Sequence, residues 1–279
     1  MSVLKVILLG AIQGITEFLP VSSSGHLVLL ETLFGFKSES PEMLLFDLAV
    51  HLGTVMAVVV VLLRSLPELR AGGMALAGGQ DAPAATSKPV SWPRLLVMIV
   101  VATAATGILV MPIKAKFEQA RGSLAVVAAM WLITGTLLWI TDKKRQTRLD
   151  LSQFGLKGAF LVGLAQGVAV MPGISRSGAT ICVAILLGLH RVRAVQFSLL
   201  IGVPAVLGAS LVEGLHNWDV LRSGSLPIGY LLLGAVVAAV VGIGAIQLLI
   251  RFAKAAQFKY FGFYCYALAS ASMLYVLMR

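Results

Sequence analysis

Apolar residues run in long blocks along this chain, separated by short polar clusters. The blocks at 43–63, 95–111, 124–141, 195–212, 228–250 and 261–278 approach the roughly 20 residues a helix needs to cross a bilayer, and each predicts a membrane span. Two further regions are helical by composition but too short to cross alone: 3–19 followed by about 27–36, and 154–171 followed by 181–189. Proline, glycine and hydroxyl residues join the members of each pair. Such half-length helices predict a hairpin that enters the membrane and leaves on the same side. Non-helical backbone is tolerated at that depth only where it is buried in protein or lines a wet cavity. An ordinary surface hairpin has the same local pattern, and what favours the re-entrant form is that the pattern occurs twice.

The first copy contains Gln13-Gly14 and then Pro20-Val21-Ser22-Ser23-Ser24-Gly25-His26; the second contains Gln166-Gly167 and then Pro172-Gly173-Ile174-Ser175-Arg176-Ser177-Gly178-Ala179-Thr180. Sliding Gln13 onto Gln166 also places Ser22 on Ser175, Ser24 on Ser177 and Gly25 on Gly178, with Ser23 on Arg176. Each half then holds one hairpin and three spans, an odd number of crossings, so the second half sits upside down relative to the first. The predicted fold class is an all-α polytopic membrane protein with an inverted-topology repeat, a plan that places a site near the midplane between paired broken helices. It forms a single integral membrane domain over 1–279, with repeat one at about 1–141, repeat two at about 153–279, and a basic loop at 142–152 between them.

Composition agrees: 58% of residues are hydrophobic and 12% charged, about half the charged share of soluble proteins. The net charge of +10 is loop charge between apolar runs, as expected beside anionic lipid, and does not point to nucleic acid. The loops at 64–93, 142–148, 191–193 and 251–259, with Arg94 and Lys157, carry twice as many Lys and Arg as the opposite set, which holds Lys5, Lys37, Lys114, Lys116, Arg121, Arg222 and Arg279. The richer face is expected to be cytoplasmic, with both termini outside and the two hairpin loops meeting from opposite sides. Residues 37–42 read as a polar turn and 64–93 as a surface loop rich in Gly, Ala and Pro. Cys182 and Cys265 read as packed thiols. The N-terminal block is interrupted by Gln13 and Glu17 and followed by no small-residue cleavage site, so no removed signal peptide is expected.

Glu17 and Arg176 are ionisable residues in otherwise apolar stretches, a costly placement that marks function or a locking ion pair. Arg176 offers a planar fork of donors for phosphate oxygens. Ser175 and Ser177 flank it with hydroxyls, and Gly173 and Gly178 would admit backbone N–H groups at a helix start near Gly178. The first loop reads as the reactive side. Ser22, Ser23 and Ser24 supply hydroxyls and His26 a proton shuttle. Gln13 and Glu17 share a helix face, where a carboxylate can activate a hydroxyl or water, or share a divalent cation with a polyphosphate. Capping and turn chemistry would also account for the serines, and a structural role for the histidine. Asp47 and His51, four apart, line the cavity or form a packing pair.

These residues resemble the undecaprenyl-diphosphate phosphatase, or bacitracin-resistance, family of bacteria over essentially the full length. The family's motifs are a Glu/Gln-x-x-x-Glu segment leading into Pro-Val-Ser-Ser-x-Gly-His, here Gln13 to Glu17 and Pro20 to His26, and Pro-Gly-x-Ser-Arg-Ser-x-x-Thr, here Pro172 to Thr180. The resemblance implies hydrolysis of undecaprenyl diphosphate to undecaprenyl phosphate and inorganic phosphate, recycling the lipid carrier for peptidoglycan, with bacitracin resistance when the protein is abundant. It implies Glu17 as the essential carboxylate, Arg176 as the diphosphate-binding arginine, Ser23 as nucleophile and His26 as the motif histidine. Gln13, Ser22, Ser24, Gly173, Ser175, Ser177, Gly178 and Thr180 fall at binding positions. A divalent cation, Mg²⁺ or Ca²⁺, is implied too. Glu17 is the one carboxylate in either motif, so the cation would be held mostly by substrate phosphates. Gln13 stands where the family pattern has Glu or Gln, which weakens any scheme needing two carboxylates on this helix. The expected partners are the lipid substrate, the surrounding lipids and a second copy in a homodimer, with no nucleic acid. The expected place is the bacterial cytoplasmic membrane, the site opening outward. A transporter or flippase of a lipid phosphate or other anion is the rival, since inverted repeats are also a transporter plan. A purely structural membrane scaffold would not need Glu17 and Arg176 at membrane depth.

Overall fold

The apolar blocks fold as helices because straight-chain and small apolar residues dominate them and a helix satisfies its own backbone in lipid. A computed structural model of the chain describes residues 2–34, 41–70, 90–113, 123–144, 147, 149–223 and 227–278. In chain order the helices are α1 (Val3–Phe18), α2 (Ser23–Phe34), α3 (Pro41–Arg70), α4 (Trp92–Val110), α5 (Leu124–Asp142), α6 (Leu151–Val168), α7 (Arg176–Leu186), α8 (Arg191–His216), the short α9 (Trp218–Ser223), α10 (Ile228–Lys254) and α11 (Lys259–Leu277). Among the described residues, 6 helices are long and apolar enough to cross a membrane: Met43–Arg64 within α3, then α4, α5, α8, α10 and α11. The protein is therefore an all-helical, multi-pass membrane protein. Its one β-feature among the described residues is an isolated bridge between Leu149 and Leu189.

Small residues set the closest helix contacts, as van der Waals packing requires where lipid is as apolar as leucine. A Cβ on Gly10 would lie 2.9 Å from the Gly234 carbonyl oxygen of α10, and one on Gly14 2.7 Å from that of Ala238. In α6, Gly163 packs on the Ala102 backbone of α4, and a Cβ on Gly167 would lie 2.9 Å from Leu109 Cδ2. Gly10 and Gly14 are thus to α10 what Gly163 and Gly167 are to α4. Helices α5 and α11 cross at Gly135 and Gly262, where a Cβ on either would lie 2.9 Å from the other's carbonyl oxygen. Helix α3 packs on α10, α8 and α1, and α4 packs on α8.

The predicted spans are all present, but several helices begin earlier or run longer than expected. Helices α2 and α7 start at Ser23 and Arg176 rather than at about 27 and 181. The reason is capping: Ser22 Oγ accepts from Gly25 N at 3.2 Å and Ser175 Oγ from Gly178 N at 3.1 Å, which satisfies orphan donors of each first turn. Most of the expected loop hydroxyls therefore sit on helix N-termini. Helix α3 continues to Arg70, into the expected 64–93 loop; residues 71–89 and the turn at 114–122 lie outside the described residues, as do 35–36 of the expected short helix and 37–40 of the expected polar turn.

Two basic residues counted as loop charge are buried instead. Arg191 pairs with Asp142 at 3.3 Å and donates to the carbonyls of Thr141, Asp142 and Lys144 at 3.2, 3.3 and 3.0 Å, closing the C-terminal turn of α5. Arg193 pairs with Asp150, the N-cap of α6, at 3.0 Å. Asp142 also accepts from Lys259 N at 2.7 Å. One charged knot thus joins the ends of α5, α6, α8 and α11.

Candidate functional site

The two connections between short helices meet because helix α5 holds both. Trp131 Nε1, from a fully buried indole, donates to the Val21 carbonyl at 3.0 Å. One turn on, Thr134 Oγ1 donates to the Gly173 carbonyl at 3.0 Å and accepts from Ser175 N at 3.3 Å. Ser177 Oγ donates to the Leu19 carbonyl across the gap at 3.3 Å. Two residues of the connections take left-handed backbone, Ser22 at φ 67° and Gly173 at φ 93°. For serine this is a strained choice, fixed by the bonds around it: its carbonyl accepts from His26 Nδ1 at 2.7 Å and its Oγ lies 3.3 Å from Ser24 Oγ.

At the meeting point Glu17, near the end of α1, faces Arg176, the first residue of α7. Arg176 Nη2 donates to Glu17 Oε1 at 2.6 Å. Glu17 Oε2 accepts from Gln13 Nε2 and from Ser23 Oγ, each at 3.1 Å. The carboxylate is 7% exposed and the guanidinium side chain 25%. A buried carboxylate is stable only when paired and hydrogen-bonded, as this one is on both oxygens. Arg176 Nη1 also donates to the Gly202 carbonyl of α8 at 3.3 Å. These contacts occupy two of the five N–H donors of a guanidinium.

The pair forms one wall of a cleft between α1, α3, α7 and α8 that is partly open to the exterior. Glu17, Arg176, Ser177, Thr54 and Ser198 are its polar lining; residues of α3 and α8 such as Val58 and Val203 make the rest apolar. Ser23 and Gln13 stand beside the cleft, on the Oε2 side of Glu17. The site can bind an anion through Arg176 and offers a hydroxyl hydrogen-bonded to a carboxylate, the arrangement of an activated nucleophile and its base.

The structure therefore brings Gln13, Glu17, Ser23, Arg176 and Ser177 together. It places others in supporting roles. Gly178 N is taken by the Ser175 hydroxyl, and a Cβ there would lie 3.2 Å from Pro20 Cβ, so Gly178 lets the two connections touch. Gly173 packs against Val127 and Met130 of α5. Thr180 Oγ1 lies 2.6 Å from Ser198 Oγ, tying α7 to α8. His26 does not reach Glu17 or Arg176. Since a carbonyl can only accept, its Nδ1 carries the proton bonded to Ser22, and its Nε2 takes the Tyr264 hydroxyl at 2.8 Å. Its ring meets Trp131 edge-on at 5.6 Å.

Sequence reasoning gave too little weight to His51, whose Nε2 lies 3.2 Å from Gln13 Nε2, and did not single out Thr54 or Ser198. A signal was present for α3: Asp47, His51 and Thr54 stand at helical spacing on one face of an otherwise apolar span. No pattern pointed to Tyr264.

A donor-set test bears on a metal. Among the described residues no group of three or more His, Cys, Asp and Glu side chains is placed to hold an ion. Glu17 is the single carboxylate in the lining of the cleft. The protein side thus offers one carboxylate ligand, which fits only a cation supplied with most of its oxygen ligands by a bound polyphosphate.

Comparison with known proteins identifies the family. A model of the family described as bacitracin resistance protein BacA matches residues 6–271. The chain is 40% identical over 278 residues to a protein of Desulfosudis oleivorans named undecaprenyl-diphosphatase, covering 98% of each chain. It is 39% identical over 274 residues to one of that name from Halorhodospira halophila, covering 96% of each, and 38% identical over 273 residues to another from Salinibacter ruber. With a family match that takes in both motifs and relatives that align nearly end to end, the chain belongs to the bacitracin resistance protein BacA family.

Proposed function

We propose that this membrane protein hydrolyses undecaprenyl diphosphate to undecaprenyl phosphate and inorganic phosphate, returning the lipid carrier to peptidoglycan synthesis and conferring bacitracin resistance. Relatives of that name spanning nearly the whole chain support the reaction. The observation that carries the chemistry is the Ser23 hydroxyl 3.1 Å from one oxygen of Glu17 while Arg176 holds the other at 2.6 Å.

In this reading the lipid tail stays in the bilayer and the diphosphate enters the cleft, where Arg176 exchanges part of its pairing with Glu17 for phosphate oxygens. Ser177, at the first turn of α7, adds a hydroxyl, and the helix N-terminus favours the negative charge. The terminal phosphorus comes to the Oε2 side of Glu17. Ser23 passes its proton to Glu17 as its Oγ bonds to that phosphorus. The bridging P–O bond breaks and undecaprenyl phosphate leaves. Water then cleaves the phosphoseryl ester, releasing inorganic phosphate. Arg176 offsets the charge that builds on the transferring phosphoryl group. Gln13 orients Glu17, and His26 holds the Ser22–Ser23 corner through the Ser22 carbonyl. Ser22, Ser24, Ser175, Gly173, Gly178 and Thr180 fix the shape of the two connections. A divalent cation, Mg²⁺ or Ca²⁺, would arrive on the diphosphate with Glu17 as its protein ligand and would neutralise phosphate charge.

The architecture belongs to the same proposal: one domain of two inverted repeats, about 1–141 and 153–279, joined by the basic segment 142–152, each half with a re-entrant hairpin (α1–α2 and α6–α7). Two things support it. Exchanging the halves turns the α1–α10 packing into the α6–α4 packing and leaves α5–α11 and α3–α8 on themselves. The Ser22–Ser24–Gly25 bonds also repeat as Ser175–Ser177–Gly178. The bias of basic loops supports a bacterial cytoplasmic membrane setting with the cleft opening outward. The same exchange symmetry favours a second reading, in which the site carries a lipid phosphate across the membrane intact.

Phosphate release from undecaprenyl diphosphate by purified protein in detergent, with and without Mg²⁺ or Ca²⁺ and beside Arg176→Ala, separates the two. Release that vanishes in the variant supports the phosphatase; folded protein that binds the lipid and leaves it intact favours the carrier.

A further inference from the structure

Helix α3 contributes a group to the site that the reaction scheme above leaves unused. His51 Nδ1 lies 2.8 Å from the Asp47 carbonyl oxygen. A carbonyl only accepts, so Nδ1 carries the proton and Nε2 presents a lone pair. That lone pair faces Gln13 Nε2 at 3.2 Å, and the same amide nitrogen lies 3.1 Å from Glu17 Oε2. The two N–H bonds of Gln13 are thus shared out, one to the imidazole and one to the carboxylate. Turning the amide over would set its oxygen against two acceptors at once. His51 therefore fixes which end of Gln13 meets Glu17.

We infer that His51 is a positioning residue for the reacting carboxylate, acting through the Gln13 amide. The inference rests on the proposed role of Glu17 as the base for Ser23. Oε2 is the oxygen that accepts from Ser23, and Gln13 holds a second donor on it. Neutral His51 keeps that donor in place. A proton on Nε2 would confront the Gln13 amide nitrogen with a second donor. The amide would turn to accept from the imidazolium, and its oxygen would then face the Glu17 carboxylate, lone pair against lone pair. One amide rotation thus couples the charge of His51 to the placement of Glu17. The charged groups acting on His51 are Asp47 on α3 itself, whose carboxylate lies 3.6 Å away, Glu17 on α1 and Arg176 on α7. Helix α10 meets this part of α3 through small residues, with Ala235 against Gly53.

The test is phosphate release by the purified full-length protein from about pH 5 to 9, a window that brackets ordinary histidine titration, for the parent, His51→Leu, His51→Gln and Glu17→Gln. His51→Leu is expected to lower kcat about tenfold or more, the size of effect that misplacing a reacting group produces, with KM within about twofold. His51→Gln puts a non-titrating acceptor near the Nε2 position. The parent's rate is expected to fall on the acid side, and His51→Gln to recover most of kcat and to lose that fall. His51→Leu with the parent's kcat and pH profile would overturn the inference. So would an equal loss in both His51 variants with an unchanged profile, the mark of a merely structural role. Near-normal phosphate release by Glu17→Gln would overturn instead the reading of Glu17 beneath it.

Discussion

Glu17 and Arg176, 159 positions apart in the chain, meet at 2.6 Å. Each comes from an end of a short helix, and neither end could remain buried without the other. A buried pair of this kind is weak evidence for stability as such, but removing one partner strands a charge. Arg176→Ala is expected to abolish phosphate release and to lower stability by about 3 kcal/mol. Combining Glu17→Gln with Arg176→Gln removes both charges, so the melting temperature should recover well beyond that of either single variant while activity stays lost. Thermal unfolding in detergent together with phosphate release checks both. A double variant no more stable than the singles would show that the pair is not what holds the two ends.

The Ser23 hydroxyl donates to Glu17 Oε2 at 3.1 Å. Ser23→Ala is expected to reduce kcat by at least about a hundredfold, in line with loss of an activated nucleophile, with little change in melting temperature. Intact-mass analysis after rapid quenching should find one phosphoryl group on the parent protein and none on the variant. Phosphate release by Ser23→Ala at the parent's rate would exclude the serine as nucleophile.

Gly14 is placed for packing. A methyl group there would meet the Ala238 carbonyl oxygen at 2.7 Å and Val241 Cβ at 3.1 Å, so helices α1 and α10 must separate to admit it. Gly14→Ala should cost about 1–3 kcal/mol, the usual penalty for overpacking. It should also depress activity, because α1 carries Gln13 and Glu17. Gly229→Ala, in the same partner helix but with no atoms within 4 Å of the added carbon, is the matched control and should leave both unchanged.

His190, which caps α8 outside the span, should make stability depend on pH. Burial, with help from Arg193 and Arg191 and against Asp150, holds its pKa below the ordinary 6.5. Its Nδ1 is buried with no hydrogen-bond partner among the described residues. A histidine whose folded pKa is depressed contributes stability that is fully present above 6.5 and lost as pH falls through the folded value, because the unfolded chain binds the proton more readily. The melting temperature should therefore drop on acidification below that point, and His190→Asn should flatten this part of the curve. A variant curve parallel to the parent's would assign the acid sensitivity to other groups.

The spans were readable in the sequence because lipid demands long unbroken apolar runs, and a repeated motif marked both connections between short helices. The Glu17–Arg176 pairing could be anticipated, since two ionisable residues at membrane depth call for each other. Other parts turn on contacts that sequence spacing does not display. That Ser22 and Ser175 cap their helices depends on backbone direction, and so α2 and α7 begin several residues sooner than composition suggests. Arg191 and Arg193 look like ordinary loop charge until the ends of α5 and α6 offer them carbonyls and carboxylates. His51 sits 38 positions from Gln13, and only packing of α3 on α1 brings the two together. His26 looked like a proton carrier because of the motif around it, and its Tyr264 partner comes from the last helix.

Trp131 and Thr134 lie within one turn of α5, yet one grips the first connection and the other the second. That turn acts as a jig with a fixed gap of about 5 Å along its axis. Tilting or sliding α5 carries both connections together and leaves their spacing unaltered. A displacement of α5 is therefore felt at both ends of the site at once, and neither connection can shift with that helix while the other stays behind.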